Sequence, residues 1–296
     1  MKKILETFHP AVIFLYFTGI LIFTMVYMHP IFLGLSFFGG AAAAFALDQK
    51  RARRYALGIL PIIIVAAGIN PLFNHQGGTI LAYFPSGTPL TLESILFGAG
   101  AACMLGAVLF WFFALNRIMT MDKVMALLGG ILPGAALLLS MTMRFAARFR
   151  EQFQQVRRGQ LCMGIVHGGR LGKFRGAVRI LSVMVTWCFE NGLDTADAMN
   201  SRGYGLRGRT SFSLYRFTKR DGFGLACIFA LWVLILVGIG QEGIYYAYFP
   251  FFYLETGAWT AVGCGAFLAL CFLPVILSRL TGNRLPAALC GPRKEG

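Results

Sequence analysis

The sequence predicts an all-α integral membrane protein of about six transmembrane helices with long amphipathic helices on its cytoplasmic side. Three observations carry that expectation. Of 296 residues, 57% are apolar, 28 of them Phe, and mean hydropathy is +0.67, leaving too little polar surface for a soluble globule. Charge-poor runs recur at the length of about 20 residues that a helix needs to cross a bilayer. The formal net charge of +15 is concentrated in one stretch, since residues 144–220 hold 15 of the 27 Lys and Arg against four acids, Glu151, Glu190, Asp194 and Asp197.

The apolar runs fall at 10–28, 30–47, 55–73, 94–115, 124–143, 222–240 and 257–278. Basic loops stay on the cytoplasmic side, so Lys and Arg set the orientation. Lys2 and Lys3, then Lys50, Arg51, Arg53 and Arg54, then Arg117 and Lys123, then Arg279, Arg284, Arg293 and Lys294 read as inside. The remaining connections, His29-Pro30, 74–90 and 241–256, carry no Lys or Arg. Alternation works for the spans up to residue 115 and again after residue 221, and both termini come out cytoplasmic. The chain divides accordingly into N-terminal spans (1–115), a basic module (116–220) and C-terminal spans with a tail (221–296).

The run 124–143 breaks the alternation, because basic loops flank it at both ends. Gly129, Gly130, Pro133 and Gly134 weaken a straight helix there, which favours a re-entrant or in-plane segment. A conventional span remains the alternative, with parity restored by a half-buried segment near 176–189. Arg175 and Arg179 suit that segment to an interface rather than to a crossing. Pro61, in the third span, marks a kink.

From residue 144 the pattern becomes amphipathic. Arg144, Arg148, Glu151, Gln155 and Arg158 share one helical face, while Phe145, Phe149, Phe153 and Val156 lie about 100° or more away. A basic face of this kind can meet anionic headgroups. The segment Asp194-Thr-Ala-Asp-Ala-Met-Asn-Ser-Arg-Gly-Tyr-Gly205 is more specific. Asp194 reads as the N-cap of a short helix, Asp197 favours its positive end, and Gly203 can take the left-handed conformation that stops it. Arg202 then presents one fixed guanidinium from the helix tip.

These residues resemble a known family. Ala198-Met199-Asn200-Ser201-Arg202-Gly203-Tyr204 is similar to the second Arg motif, Ala-Met-x-Ala-Arg-Gly-Tyr, of the transmembrane T component (EcfT/CbiQ family) of energy-coupling factor (ECF) ABC transporters. Leu139-Ser140-Met141-Thr142-Met143-Arg144-Phe145 matches that family's Leu-Ser-Met-x-x-Arg-Phe element. Its first Arg motif, Ala-Gln-x-Ala-Arg-Gly, falls on Gly159-Gln160-Leu161-Cys162-Met163-Gly164, with Met163 where Arg is expected; Arg157-Arg158-Gly159 is the other source of a cation. The resemblance covers residues 70–205, and the outer spans match in hydrophobicity alone.

The resemblance implies a non-catalytic subunit whose Arg-tipped coupling helices sit in grooves of two cytoplasmic ABC-type ATPases. It implies that ATP-driven motion passes to a small substrate-binding membrane S subunit, for uptake of a vitamin, cofactor precursor or metal ion. ATPase docking then falls to Ser201, Arg202 and Gly203 and to Arg157, Arg158 and Gly159. Contact with the substrate subunit falls to Leu139, Met143, Phe145, Phe149 and Phe153. The implied setting is the plasma membrane of a prokaryote.

Other chemistry finds little support in the sequence. No Gly-x-x-x-x-Gly-Lys-Ser/Thr occurs, and Gly168-Gly-Arg-Leu-Gly-Lys-Phe174 lacks both its spacing and its hydroxyl, so ATP hydrolysis is expected on separate chains. The seven Cys and four His are scattered without paired spacing, so no cofactor or metal site is expected. Lys2 and Lys3 lead into a full-length span with no clear cleavage site, so no signal peptide is expected. Glu93, Glu242 and Glu255 fall at expected water edges, against an ion relay. Neither does anything mark a nucleic-acid partner. Two competing readings stand beside the transporter subunit: an enzyme acting on a phosphorylated lipid, with Asp194 and Asp197 sharing a helix face to hold a divalent ion, and a basic membrane scaffold.

Overall fold

A computed structural model describes residues 8–75, 77–83, 89–164, 170–206, 215, 217–240, 246–248, 253–254 and 257–282. Lys2, Lys3, His167, Arg284, Cys290, Arg293 and Lys294, and with them the expected cytoplasmic termini, lie outside the described residues, as do Glu242 and Glu255. The described chain is helical apart from two short hairpins. In order it runs α1 (Pro10–Val26), α2 (Pro30–Leu47), α3 (Gln49–Phe73), β1 (Ile80–Tyr83), β2 (Pro89–Thr91), α4 (Leu92–Ile118), α5 (Met121–Ile131), α6 (Pro133–Cys162), α7 (Arg170–Ser201), α8 (Lys219–Gly240), β3 (Tyr246–Ala247), β4 (Tyr253–Leu254) and α9 (Ala258–Gly282). Four of these, α2, α3, α4 and α8, are long and apolar enough to cross a membrane, and α1 and Ala258–Leu273 of α9 are shorter apolar helices. The chain forms two compact units, one of residues 1–124 with 215–296 and one of residues 125–214.

In the first unit, local chemistry sets the helix starts. Pro10 and Pro30 open α1 and α2 at the first turn, where a missing N–H costs nothing. Asp48 alone separates α2 from α3 and caps the latter, accepting from Arg51 N at 3.3 Å. Helix α8 begins with half of a capping box: Asp221 accepts from Thr218 N (2.9 Å) and from the Thr218 hydroxyl (2.7 Å). The other Asp221 oxygen accepts from His9 N at 2.9 Å, so one buried carboxylate ties the starts of α1 and α8 together.

Helix α4 is the centre of this unit, packing against α1, α2 and α3, while α9 packs against α2 and α8. Trp111 of α4, Phe32 of α2, Ile20 of α1, Ile228 of α8 and Phe267 of α9 meet in one buried cluster. Glycines allow the close approach. A Cβ on Gly40 would stand 3.1 Å from Trp111 Nε1, and one on Gly19 would stand 2.2 Å from the Trp232 ring. Several interior polar groups are paired, as an apolar solvent favours, although the buried Trp232 Nε1 has no hydrogen-bond partner among the described residues. Trp111 Nε1 donates to Ser36 Oγ (3.1 Å), Ser36 and Thr24 share a hydrogen bond of 2.7 Å, and the Tyr16 hydroxyl donates to the Cys271 carbonyl (3.1 Å).

Two connections expected only as loops contain hairpins. Strands β1 and β2 pair antiparallel with an irregularity between Ile80 and Ala82, and β3 pairs with β4. Tyr248 straps the same end of the unit, donating to the Met28 carbonyl at 2.7 Å and meeting Phe97 edge-on. Glu93 departs from its expected place at the water edge. It is buried and accepts from Thr79 N at 3.2 Å as well as from the Thr79 hydroxyl, so β1's approach carries it under cover. His29, between α1 and α2, is also buried, and burial lowers its imidazole below the ordinary value. Pro61 leaves α3 unbroken from Gln49 to Phe73.

In the second unit, the run 124–143 is not one segment. Helix α5 ends at Ile131, Leu132 takes φ −134° and ψ 82°, and α6 starts with Pro133 at its first turn. Pro133 lacks the N–H that a continuous helix would need, so the break falls immediately before it. The segment near 176–189 is likewise no separate element, but the middle of the 32-residue α7. Helices α6 and α7 pack together, with Phe145 stacked on Trp187 at 5.4 Å and tilted against Phe149 at 6.2 Å. Phe145 and Trp187 are equidistant from the connection between the two helices, the arrangement of an antiparallel pair.

Candidate functional site

The two ends of this helix pair carry the residues singled out by the sequence. Asp194 does not cap a short helix: it sits exposed inside α7, which runs unbroken to Ser201. Once a helix is nucleated, each added residue gains a hydrogen bond, and no proline in 190–200 breaks the ladder, so Gly192 is carried inside the helix. The polar side chains are absorbed into the helix. Thr195 Oγ1 donates to the Asn191 carbonyl (2.6 Å) and Ser201 Oγ to the Asp197 carbonyl (2.8 Å).

The end of α7 is a Schellman turn. Tyr204 N donates to the Met199 carbonyl (3.0 Å) and Gly203 N to the Asn200 carbonyl (3.0 Å), with Gly203 left-handed at φ +73°. Arg202 is therefore the cap residue, exposed, with Ser201 and Tyr204 exposed on either side. Gly205 is also left-handed, at φ +95°, so the chain reverses sharply after the guanidinium.

The end of α6 repeats this geometry with different chemistry. Met163 is the cap residue, its N–H bonded to the Gly159 carbonyl at 3.1 Å, and Gly164 follows at φ +69°. Met163-Gly164 thus occupies the local position that Arg202-Gly203 occupies on α7. Met163 is 66% exposed, so this tip presents a thioether where the other presents a cation. Arg157, Arg158 and Gly159 are exposed but lie inside α6, three to five residues before its end, and Gly159 does not terminate the helix.

An antiparallel pair sets the two tips at opposite ends, about 45 Å apart for a 30-residue helix at 1.5 Å per residue. Between them, Met143, Phe149 and Phe153 of α6 are exposed, whereas Leu139 and Phe145 are half-buried. The sequence reading missed a second stripe. Phe174, Val178, Leu181, Val185 and Phe189 of α7 are all exposed. Their spacing of four, three, four and four residues puts them on one face. Period alone could have shown this stripe, but the interleaved Arg175 and Arg179 obscured it.

Asp194 and Asp197 lie exposed on one face of α7, and among the described residues no three His, Cys, Asp or Glu groups stand where they could hold a metal ion. Elsewhere, Arg117 hydrogen-bonds Asp48 Oδ2, and Arg51 Nε lies 3.5 Å from the same oxygen. The Arg117 hydrogen bond, reinforced by the Arg51 backbone amide, holds the Asp48 carboxyl below its ordinary value.

Fold and surface define a class: a helical protein with four helices able to cross a membrane and a separate pair of long basic helices bearing glycine-capped tips. No family model matches the chain. Over 104 residues it is 30% identical to the uncharacterized protein MG181 of Mycoplasma genitalium, an alignment covering 34% of this chain and 25% of that protein. The chain therefore matches about a quarter of that relative's length.

Proposed function

We propose that the chain is the transmembrane energy-coupling subunit of an ECF-type ABC importer. In this reading α1, α2, α3, α4, α8 and α9 are six crossings of a prokaryotic plasma membrane, and both termini face the cytoplasm with the basic loops. The α6–α7 pair is the coupling element. Its tips engage two ATPase subunits, and its apolar faces, including the α7 stripe, carry a small substrate-binding membrane subunit that brings a vitamin, cofactor precursor or metal ion.

The observation that carries the reading is the pair of matched helix ends. Each is an exposed cap residue locked by a left-handed glycine, and a separation of about 45 Å suits two partner sites rather than one. Rigid helices transmit displacement of their tips without loss, so closure of an ATPase pair would move the apolar stripes between them. Arg202 suits an acidic groove, where its planar fork gives a charge-assisted and often bidentate contact. Met163 calls for an apolar pocket, which makes the two partner contacts unlike.

The test is co-purification of the tagged chain from its native membranes with mass spectrometry. ABC-type ATPases and a small hydrophobic protein are expected with the wild type. Reversing a buried partner charge costs about 2–5 kcal/mol, so Arg202→Glu is expected to lower ATPase recovery by about 30-fold or more. Unchanged recovery from that variant, or no ATPase from either sample, defeats the proposal.

A further inference from the structure

Helix α3 has two faces with opposite fates. Ala52 and Ile59 are buried, and on the same side a Cβ added to Gly98 of α4 would meet the Ala67 carbonyl at 2.7 Å. The opposite face, about 180° away, is bare along its whole length. Leu57 is 66% exposed, Ile64 62% and Leu72 56%. Of the four helices able to cross a membrane, this one is the least buried, at 6% of its apolar window.

The bare apolar stripe leads directly to a cationic cleft. Gln49, Lys50, Arg53 and Arg54 line one surface cleft at the start of α3, and the spacing of the three cations puts them on the same face as Leu57, Ile64 and Leu72. Their position is unfavourable for the helix alone. The first turn itself holds no acid, and the capping Asp48 carboxylate is already engaged by Arg117 and Arg51, so these cations stand at the positive end of the helix dipole, where an anion is favoured. Arg51, in the same turn, is turned away and already placed against Asp48. Three cations at one end and an apolar strip from Leu57 to Leu72, about 22 Å long at 1.5 Å per residue, describe the complement of an amphiphile with an anionic head.

We infer that α3 binds an anionic phospholipid, its headgroup phosphate in the cleft of Lys50, Arg53 and Arg54 and its acyl chain along Leu57 and Ile64. The inference rests on the membrane setting alone and does not need the ATPase-coupling reading. Charge complementarity with the head selects an anionic lipid over a zwitterionic one, and the stripe selects a lipid over free phosphate.

Native mass spectrometry of the detergent-solubilised full chain tests this with added phosphatidylglycerol and phosphatidylcholine. A basic residue near an anionic headgroup contributes about a fivefold preference, so three together give phosphatidylglycerol an advantage of about a hundredfold. The triple variant Lys50→Gln, Arg53→Gln, Arg54→Gln is expected to hold both lipids equally, whereas Arg51→Gln keeps the wild-type preference. If the triple variant fails to fold, Arg53→Gln alone is expected to lose about fivefold. Equal retention of the two lipids by the wild type overturns the inference, as does equal loss on Arg51→Gln. Displacement of the lipid by millimolar inorganic phosphate would overturn the acyl contact. Loss of a co-purifying protein from the triple variant, with lipid retention unchanged, would assign the face to a protein instead.

Discussion

Gly203→Ala probes the geometry that makes Arg202 a fixed contact. Gly203 sits at φ +73°, where an added Cβ would lie 2.9 Å from Leu206 Cδ1. The left-handed conformation costs an L-residue about 1–2 kcal/mol, and the Leu206 tip can yield, so the backbone term dominates. That cost shifts the equilibrium between the closed turn and a frayed end by a factor of about 5–30. The Tyr204 amide, bonded to the Met199 carbonyl at 3.0 Å, reports the turn directly. Hydrogen exchange of the detergent-solubilised protein should show that amide exchanging about 5–30 times faster in Gly203→Ala. Gly203→Asn should stay within about twofold of wild type, because Asn tolerates this conformation. Unchanged exchange in Gly203→Ala, or equal acceleration in both variants, would refute the reasoning.

Two further outcomes follow from the first unit. Gly19→Ala places a methyl 2.2 Å from the Trp232 ring and should cost about 1–3 kcal/mol as overpacking, whereas Gly34→Ala, inside α2 with nothing within 4 Å, should not lower the thermal midpoint and should raise stability by up to about 1 kcal/mol. Because burial lowers the His29 pKa, the unfolded chain takes up its proton more readily, so stability present at neutral pH should fall as pH drops below about 6.5 through the folded value. Thermal unfolding at pH 7.5 and 5.5 measures this, and His29→Gln should reduce the difference.

What the sequence revealed about the fold follows the range of the interactions involved. The starts of α1 and α2 were readable because Pro10 and Pro30 act on their own turn, and Gly203 could be anticipated as left-handed because Arg-Gly ends a helix locally. Pro133 was readable as a weakness, yet the division into α5 and α6 depended on which flank kept its helix. Asp194 misled because an N-cap residue and an exposed mid-helix residue look alike in isolation. The decision lay with the packing of the whole of α7 on α6, as in the Phe145–Trp187 stack. Glu93 misled for a related reason: its cover comes from Thr79, fourteen residues away across a hairpin whose strands are only four and three residues long. The motif alignment that put Met163 in the Arg position already suggested the likeness of the Met163 and Arg202 tips, but the left-handed glycine that each shares after dissimilar side chains is visible only in the backbone angles.

Photocrosslinking from the α7 tip tests the coupling proposal most directly. A benzophenone amino acid in place of exposed Tyr204, two residues from Arg202, should crosslink an ABC-type ATPase in native membranes. The same probe in place of Leu57 on α3 should not. Crosslinks from Tyr204 that contain no nucleotide-binding protein, or the same ATPase captured from both positions, would contradict docking at Arg202.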